Sequence, residues 1–413
     1  MTTEEKPHIV ICGGGPGGLL AAILLDEAGI KSTVLERSTK SDPWNTRSYT
    51  LVLGERGCGS LKRAGCLDRM REVGTARKFV FFFDGETADL KMIPKKVAGI
   101  GFSRSLLVES LEKIAVELPN ITIKKGAGVS KVACGSGVVD VQLEDDTSIS
   151  ATHVIGADGK WSRVRQSFPS LEEQTTMEVC PSFGVAMITS TVPEGWRTDG
   201  TYVIKPSTEQ TFYVIISPLP GDGLSISMVC YDEVLDKYPW LAPPTDKSSS
   251  VADDSKEVYT WKDEYSAKPA NEESDMELSD HLETLFQNEM PALLAAIGKE
   301  TLKSARINRR VTWLRTSPTE DGKEVTYATE DGRVALIGDS AHCMTPSMGE
   351  GCNTALESAV KLVDSIVAKL KEKEETVCDV DTMSEAFIQY GLSRPKDTQP
   401  IQEMSAARNQ LKK

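Results

Sequence analysis

The chain has 413 residues, of which 26% are charged and 39% hydrophobic, and a formal net charge of −14. That length predicts two or three domains with sizeable cores. The acidity excludes general nucleic-acid binding, which needs a basic footprint, and disfavours an anionic membrane surface. No run of 18 apolar residues is present, so no transmembrane anchor is expected; Ile9 to Leu25 is interrupted by five glycines and a proline. Met1–Lys6 reads as neither a signal nor a transit peptide. Nine scattered cysteines without a Cys-x-x-Cys pair, and four distant histidines, point to a reducing compartment and to no metal site.

In chain order, the apolar run His8–Cys12 predicts a buried strand. Leu19–Ala28 follows as a helix stopped by Gly29, then Ser32–Leu35 as a second strand. This is a β-α-β unit of about thirty residues. Helical spacing recurs over Arg56–Val73 and over Leu106–Leu118, after Arg104. Ile121–Lys124 and Val138–Leu143 read as strands, with Asp145-Asp146 as a hairpin turn, and His153–Ile155 as a third short buried strand. From Ser182 to Tyr231, strand follows strand without helices, which predicts an antiparallel sheet and a second domain. Thr245–Asp280 holds eleven acids and four lysines, net −7, half of the chain's total charge; it reads as an exposed insertion or mobile loop, with a solvated helical face as the alternative for its end, Asp275–Phe286. Val334–Ile337 returns to a buried strand. A loop, Ser340–Asn353, leads into an amphipathic helix from Thr354, and Met383–Tyr390 starts the last helix.

Gly13, Gly15 and Gly18 form G-x-G-x-x-G at the junction of the first strand and helix, with Glu36 closing the second strand about twenty residues on. The glycines permit a tight turn, close approach of a pyrophosphate and close helix–strand packing. The helix N-terminus offers free N–H groups to phosphate, and the acid suits ribose hydroxyls, hence FAD or NAD over NADP. The fingerprint alone does not separate FAD from NAD.

Two later segments do: Gly156-Ala-Asp-Gly-Lys-Trp-Ser-Arg-Val-Arg165 and Val334-Ala-Leu-Ile-Gly-Asp-Ser-Ala-His342. With the glycine fingerprint they give three motifs in order, Gly13–Gly18, Asp158-Gly159 and Gly338-Asp339. In these the chain resembles the single-component FAD-dependent aromatic hydroxylases, or group A flavoprotein monooxygenases. The resemblance spans roughly residues 7–58, 100–168 and 331–400, and is nearest the kynurenine 3-monooxygenase-like group through Arg47-Ser-Tyr-Thr-Leu-Val-Leu-Gly-Glu-Arg-Gly57.

The resemblance implies an α/β fold. A Rossmann-like FAD-binding domain of the p-hydroxybenzoate hydroxylase-like type would be interleaved with an antiparallel substrate sheet and followed by C-terminal helices. The expected boundaries are 1–180, 181–320 with the acidic insertion at about 245–280, and 321–413. The implied cofactor-binding residues are Gly13, Gly15, Gly18, Glu36, Arg37, Arg47, Arg104, Val129, Asp158, Asp339, Gly351, Cys352 and Asn353. Among them, Arg104 would meet the FAD phosphates and Asp339 the ribityl chain. Pro346, Gly349 and Gly351 would form the flavin-facing loop; no side chain is assigned as a catalyst.

Simpler roles stand beside these: Asp158 as the cap of the turn before Trp161, Asp339 as an N-cap, His342 as a loop residue, and Arg47 as a surface ion-pair partner. The kynurenine group's carboxylate-binding arginine has a counterpart in Arg77. Its tyrosine has none, because Val97-Ala-Gly-Ile-Gly-Phe102 stands there. Phe183, Tyr202, Phe212, Tyr213 and Met228 are candidate walls of the substrate pocket, although most alternating positions on strands are core.

The implied chemistry is hydroxylation of an aromatic or other electron-rich small molecule with O2, through a flavin hydroperoxide. FAD is resident, and NADPH or NADH is a transient co-substrate because only one dinucleotide fingerprint exists. Epoxidation or reduction of a terpenoid and a non-catalytic flavin-binding redox module are the alternatives. A monomer or weak dimer in the cytoplasm or another reducing intracellular compartment is expected.

Overall fold

The computed structural model describes residues 7–39, 50–135, 137–206, 211–221, 223–243, 265–266, 277–374 and 378–409. Arg47 and nearly all of the acidic insertion lie outside these. The chain divides into two compact units. The first comprises 1–73, 103–178 and 312–408; the second comprises 74–102, 179–311 and 409–413.

The first unit is built on a five-stranded sheet in the order Val334–Leu336, His153–Gly156, His8–Cys12, Lys31–Glu36, Ile121–Lys125. Every neighbouring pair is parallel. The central strand reads as an unbroken apolar run because both of its faces are covered: Ile9, Val10, Ile11 and Cys12 are fully buried. Pro16 presets the first turn of the helix Pro16–Glu27, and Gly29, at φ 72°, stops it. Its residues Gly17 to Leu25 are all buried, and each large side chain among them contributes about 2 kcal/mol. Ser103 caps the helix Arg104–Ala115 by accepting from Leu106 N at 3.2 Å. An antiparallel sheet of Val129–Cys134, Val139–Leu143 and Ser148–Ala151 is also part of this unit. Its second hairpin turns at Asp146, where φ is 65°.

Three elements differ from expectation. Arg56–Val73 is two helices, Glu55–Arg63 and Leu67–Val73, because Gly65 takes φ 66° between them. The helix expected from Thr354 begins at Gly351 and runs to Glu372. The last helix, Val380–Ala407, continues through Pro395 and Pro400.

In the second unit the strands run in the order Tyr265–Ser266, Arg306–Asn308, Ser182–Thr189, Leu224–Tyr231, Phe212–Pro218, Gly200–Lys205, Thr75–Asp84, Leu90–Ser103. The sheet is mixed, not antiparallel throughout: Gly200–Lys205 pairs in parallel with Thr75–Asp84, a strand supplied from much earlier in the chain. One face packs into a core with the helices Leu278–Glu289 and Pro291–Ile297. Leu282, Leu285 and Phe286 are buried there, so the end of the acidic stretch is an anchored helix and not a solvated face. Among the described residues no helix is long and apolar enough to cross a membrane, and no cluster of His, Cys, Asp and Glu is placed to hold a metal.

His153 gives the first unit a pH dependence. Its ring is fully buried, 3.2 Å from Thr152 Oγ1 and 3.0 Å from Ser384 Oγ. Burial, with Arg333 adding to it, pushes its pKa from 6.5 down to about 3. In that window the unfolded chain binds a proton that the folded chain does not. The stability is therefore intact above pH 6.5 and is lost as the pH falls. Between pH 6 and pH 4 the parent is expected to lose about 1.4 kcal/mol more per pH unit than His153→Gln, read by urea denaturation.

Candidate functional site

The glycine fingerprint of the first unit divides into two kinds of position. Gly13 has φ +113°, and a Cβ there would strike the Ala157 carbonyl. A Cβ on Gly18 would strike the carbonyl oxygen of Gly13. These two glycines serve internal packing. Gly15 differs: its φ of −74° suits any residue, and the nearest atom to an added Cβ is Arg104 Nη2 at 4.0 Å. Nothing in the protein requires a glycine there, and the space in front of it is open. It is the N-cap of the helix Pro16–Glu27, which has no side-chain cap and no acid in its first turn. The first helical hydrogen bond runs from Leu19 N to Gly15 O. Among the described residues, the N–H groups of Gly17 and Gly18 have no acceptor, which leaves an anion-ready helix end.

At the end of the second strand, Glu36 Oε2 accepts from Gly14 N at 2.9 Å and Oε1 from Ser38 N at 2.8 Å. A carboxylate has about four acceptor positions, so capacity for ribose hydroxyls remains. Ala127 N donates to Glu36 O at 2.9 Å, which brings the start of the Val129–Cys134 strand beside the acid; Val129 itself is buried. Arg37 points elsewhere, into an exposed ion pair with Glu144 at 2.9 Å.

Arg104, Asp339 and Cys352 form a third group. Asp339 is half-buried, and burial raises its pKa against the opposing charges of Lys160 and Arg104. The Cys352 thiol is pushed up to about 12 by burial and by Asp339. Among the described residues, neither the Asp339 carboxylate nor the Arg104 guanidinium has a hydrogen-bond partner. Asp339 is the first residue of the short helical turn Asp339–His342, and its N-cap is Gly338, so the N-cap role for Asp339 fails. Lys160, whose Nζ donates to Thr312 Oγ1 at 2.9 Å, escaped the sequence reading. Its position inside the Asp158-Gly159 motif was the available signal.

Asp158 takes the simpler role. Oδ1 accepts from Ser162 Oγ at 2.5 Å, and Oδ2 accepts from Arg163 N at 2.7 Å and Val164 N at 3.1 Å. Burial raises its pKa while these bonds oppose the shift. Its lone pairs are spent on the turn into the Arg163–Gln166 helix.

The loop before the long helix is a 3-10 turn, Pro346–Met348, closed by Gly349 at φ 67°. A Cβ at Gly349 would meet nothing within 4 Å, and one at Gly351 only Met344 Cγ at 3.8 Å. The helix Gly351–Glu372 has no side-chain cap, and its first amide bond is Thr354 N to Glu350 O. The Gly351, Cys352 and Asn353 N–H groups have no acceptor among the described residues. The Asn353 side chain is committed: Oδ1 accepts from Gly54 N at 2.9 Å, and Nδ2 donates to Val52 O and Gly349 O. Arg56 holds Glu350 at 2.6 Å. His342 is buried, Nε2 is 2.8 Å from Ser358 Oγ, and burial drives its pKa down to about 3, so it is a packed neutral ring.

The substrate candidates of the second unit sort by strand parity. Phe183, Tyr202, Phe212 and Met228 lie in the core against the helices, while Tyr213 lies on the opposite face. Arg77 is fully buried and donates to Ala76 O, Thr198 O and Pro218 O, all main-chain carbonyls. Burial lowers its pKa to about 10. Both Nη atoms are thus committed to the main chain, while among the described residues the buried Nε has no hydrogen-bond partner.

Residues 6–379 match the family model described as "FAD binding domain". The chain belongs to the FAD-binding monooxygenase family. It is 23% identical to kynurenine 3-monooxygenase of Dictyostelium discoideum over 97% of this chain and 79% of that protein. It is 24% identical to an FAD-dependent urate hydroxylase of Mycolicibacterium vanbaalenii, over 86% and 78%. Its fold matches that of Klebsiella pneumoniae HpxO, crystallised with FAD and uric acid, at a TM-score of 0.69 and 17% identity over 99% and 90% of the two chains. The donor set of this FAD-dependent monooxygenase-family enzyme fits FAD: an uncapped helix end that a Cβ at Gly15 would obstruct, an acid with spare lone pairs, and an unspent Arg104 and Asp339.

The two kinds of glycine separate by melting temperature. Gly18→Ala is expected to cost about 1–3 kcal/mol by overpacking against the Gly13 carbonyl. Gly15→Ala leaves the melting temperature of the FAD-free protein unchanged. Differential scanning calorimetry checks both.

Proposed function

We propose that this chain hydroxylates a small planar ring compound with NAD(P)H and O2, holding FAD in its first unit. The observation that carries the cofactor assignment is the open, uncapped helix end at Gly15, where the protein itself has no need of a glycine. The free N–H groups of Gly17 and Gly18, with Arg104, hold the pyrophosphate. Glu36 accepts from ribose hydroxyls, and Asp339 accepts from the ribityl chain. Lys160 and Arg104 oppose the upward shift that burial gives the Asp339 pKa. Val129 lines the adenosine end. Arg37 is left as a surface ion pair, and Asp158 shapes the turn. Bound there, the flavin supplies the electron transfer and oxygen activation that side chains lack. The Gly351, Cys352 and Asn353 N–H groups and the dipole of a 22-residue helix stabilise negative charge beside the loop Pro346–Gly351. A single dinucleotide fingerprint leaves NADPH or NADH as a transient reductant.

A ring substrate is supported from two sides. The named relatives act on kynurenine and urate. The sheet face turned away from the helices carries Gly184, Ala186, Tyr213, Ile215 and Val229, small or apolar groups suited to a flat ring. Kynurenine itself is disfavoured, because both Nη atoms of Arg77 are committed to main-chain carbonyls and the stretch Val97–Phe102 holds no tyrosine.

Gly15→Val is expected to abolish FAD retention while the FAD-free protein still melts like the parent; a variant that retains full flavin overturns the fingerprint's role. Asp339→Ala is expected to weaken FAD binding roughly tenfold or more, measured by fluorescence titration. The reaction is tested by a panel of ring compounds, kynurenine and urate included, followed by NAD(P)H consumption together with peroxide release. Stimulated oxidation without matching peroxide marks the substrate. If no ring compound accelerates oxidation, the hydroxylase assignment is lost to a reductase or binding role.

A further inference from the structure

Among the described hydroxyls, three meet in one buried knot between the loop preceding the long helix and the last turn of the C-terminal helix. Thr345 Oγ1 donates to Ser405 O at 2.8 Å and lies 2.6 Å from Ser405 Oγ. Ser347 Oγ donates to the same Ser405 O at 2.6 Å. Ser405 Oγ in turn donates to Thr345 O at 2.7 Å. Thr345 and Ser405 are fully buried. One turn earlier, Gln402 Nε2 donates to Leu314 O at 2.6 Å and reaches Cys343 O at 3.3 Å.

The exchange satisfies a need on each side. The helix ends at Ala407, so the Ser405 carbonyl lies in its last turn. Thr345 and Ser347 supply the donors. The loop has the converse problem. It contains a proline without an N–H and a left-handed Gly349; Asn353 Nδ2 holds the Gly349 carbonyl and Arg56 holds Glu350, so its front is tied and its back needs donors and acceptors from elsewhere. Its Cys343 and Thr345 carbonyls are tied from behind by Gln402 and Ser405.

We infer that Ser405 is a positioning residue for the cofactor-facing loop, which rests on the cofactor site proposed above. It acts through Thr345 and Ser347 to set where Gly349 and the free N–H groups of Gly351, Cys352 and Asn353 stand. The C-terminal helix is thereby part of the cofactor site without touching the cofactor.

The test compares Ser405→Ala with Thr398→Val. Thr398 lies on the same helix, is equally buried, and bonds Tyr327 Oη at 2.7 Å away from the loop. Both variants lose buried hydrogen bonds and are expected to melt lower. Only Ser405→Ala is expected to weaken FAD binding, about tenfold by analogy with the loss of other outer-layer supports, and to shift the flavin's visible absorption bands. In the FAD-free protein, the same variant is expected to speed amide hydrogen exchange across residues 344–353. Thr345→Val should reproduce these effects, and Thr345→Ser should restore them. If the parent binds FAD and Ser405→Ala keeps its affinity, spectrum and exchange, or if Thr398→Val changes them equally, Ser405 is structural only and the inference falls. A parent that takes up no FAD overturns the cofactor site itself, and this inference with it.

Discussion

The structure depends on how the first helix meets the first strand. The Gly13 carbonyl oxygen occupies the place where Gly18 would carry a side chain, and the Gly13 backbone lies in a conformation that only glycine adopts readily. That contact draws the helix start tight against the end of the sheet and leaves its first amides facing outward. An amide donor without a partner is costly in a buried setting and useful in an open one. The uncapped end at Gly15 leaves the Gly17 and Gly18 donors without an acceptor among the described residues, which makes it a receptor for negative charge. Gly17 extends the same economy to the other side, where an added Cβ would lie 3.4 Å from Ala355 O of the long helix.

From this start the first unit gathers groups from three separated stretches of chain. The donors are mostly main-chain amides at two helix ends, and the charged groups are few: Glu36, Arg104, Lys160 and Asp339. Asp339 shows the balance. Burial alone would favour its neutral form, and two nearby cations oppose that. Cys352, in the same field, is held as a thiol and is no nucleophile. The site has the character of a binding frame with fixed dipoles, in keeping with a family in which the cofactor carries the chemistry.

Much of the fold was legible in the sequence because its central strands are covered on both faces and so appear as unbroken apolar runs. Gly13 and Gly18 were legible because backbone geometry and close packing restrict what can stand there. Other parts depended on partners far away in sequence. The strand Leu90–Ser103 gives no alternating signal, since its first nine residues are all exposed, and its antiparallel partner Thr75–Asp84 lies parallel to Gly200–Lys205 in a sheet expected to be antiparallel. Lys160 is fixed by Thr312, 152 residues on, and Ser405 by Thr345, 60 residues back. Arg77 looked available as a lone cation in a mixed segment; three main-chain carbonyls, one of them at Pro218, take both of its Nη atoms. Asp158 carried a family motif, yet three local bonds account for its carboxylate.

Strand parity in the second unit has a practical consequence for altering the sheet. Gly184, Ala186, Tyr213, Ile215 and Val229 can be varied in a combinatorial library without disturbing the hydrophobic packing that holds the sheet to its helices. Their immediate neighbours Phe183, Val185, Phe212, Val214 and Met228 belong to that packing, and truncating any of them removes core. Every second residue along these strands thus lies on an adjustable face, while the alternate set keeps the scaffold intact.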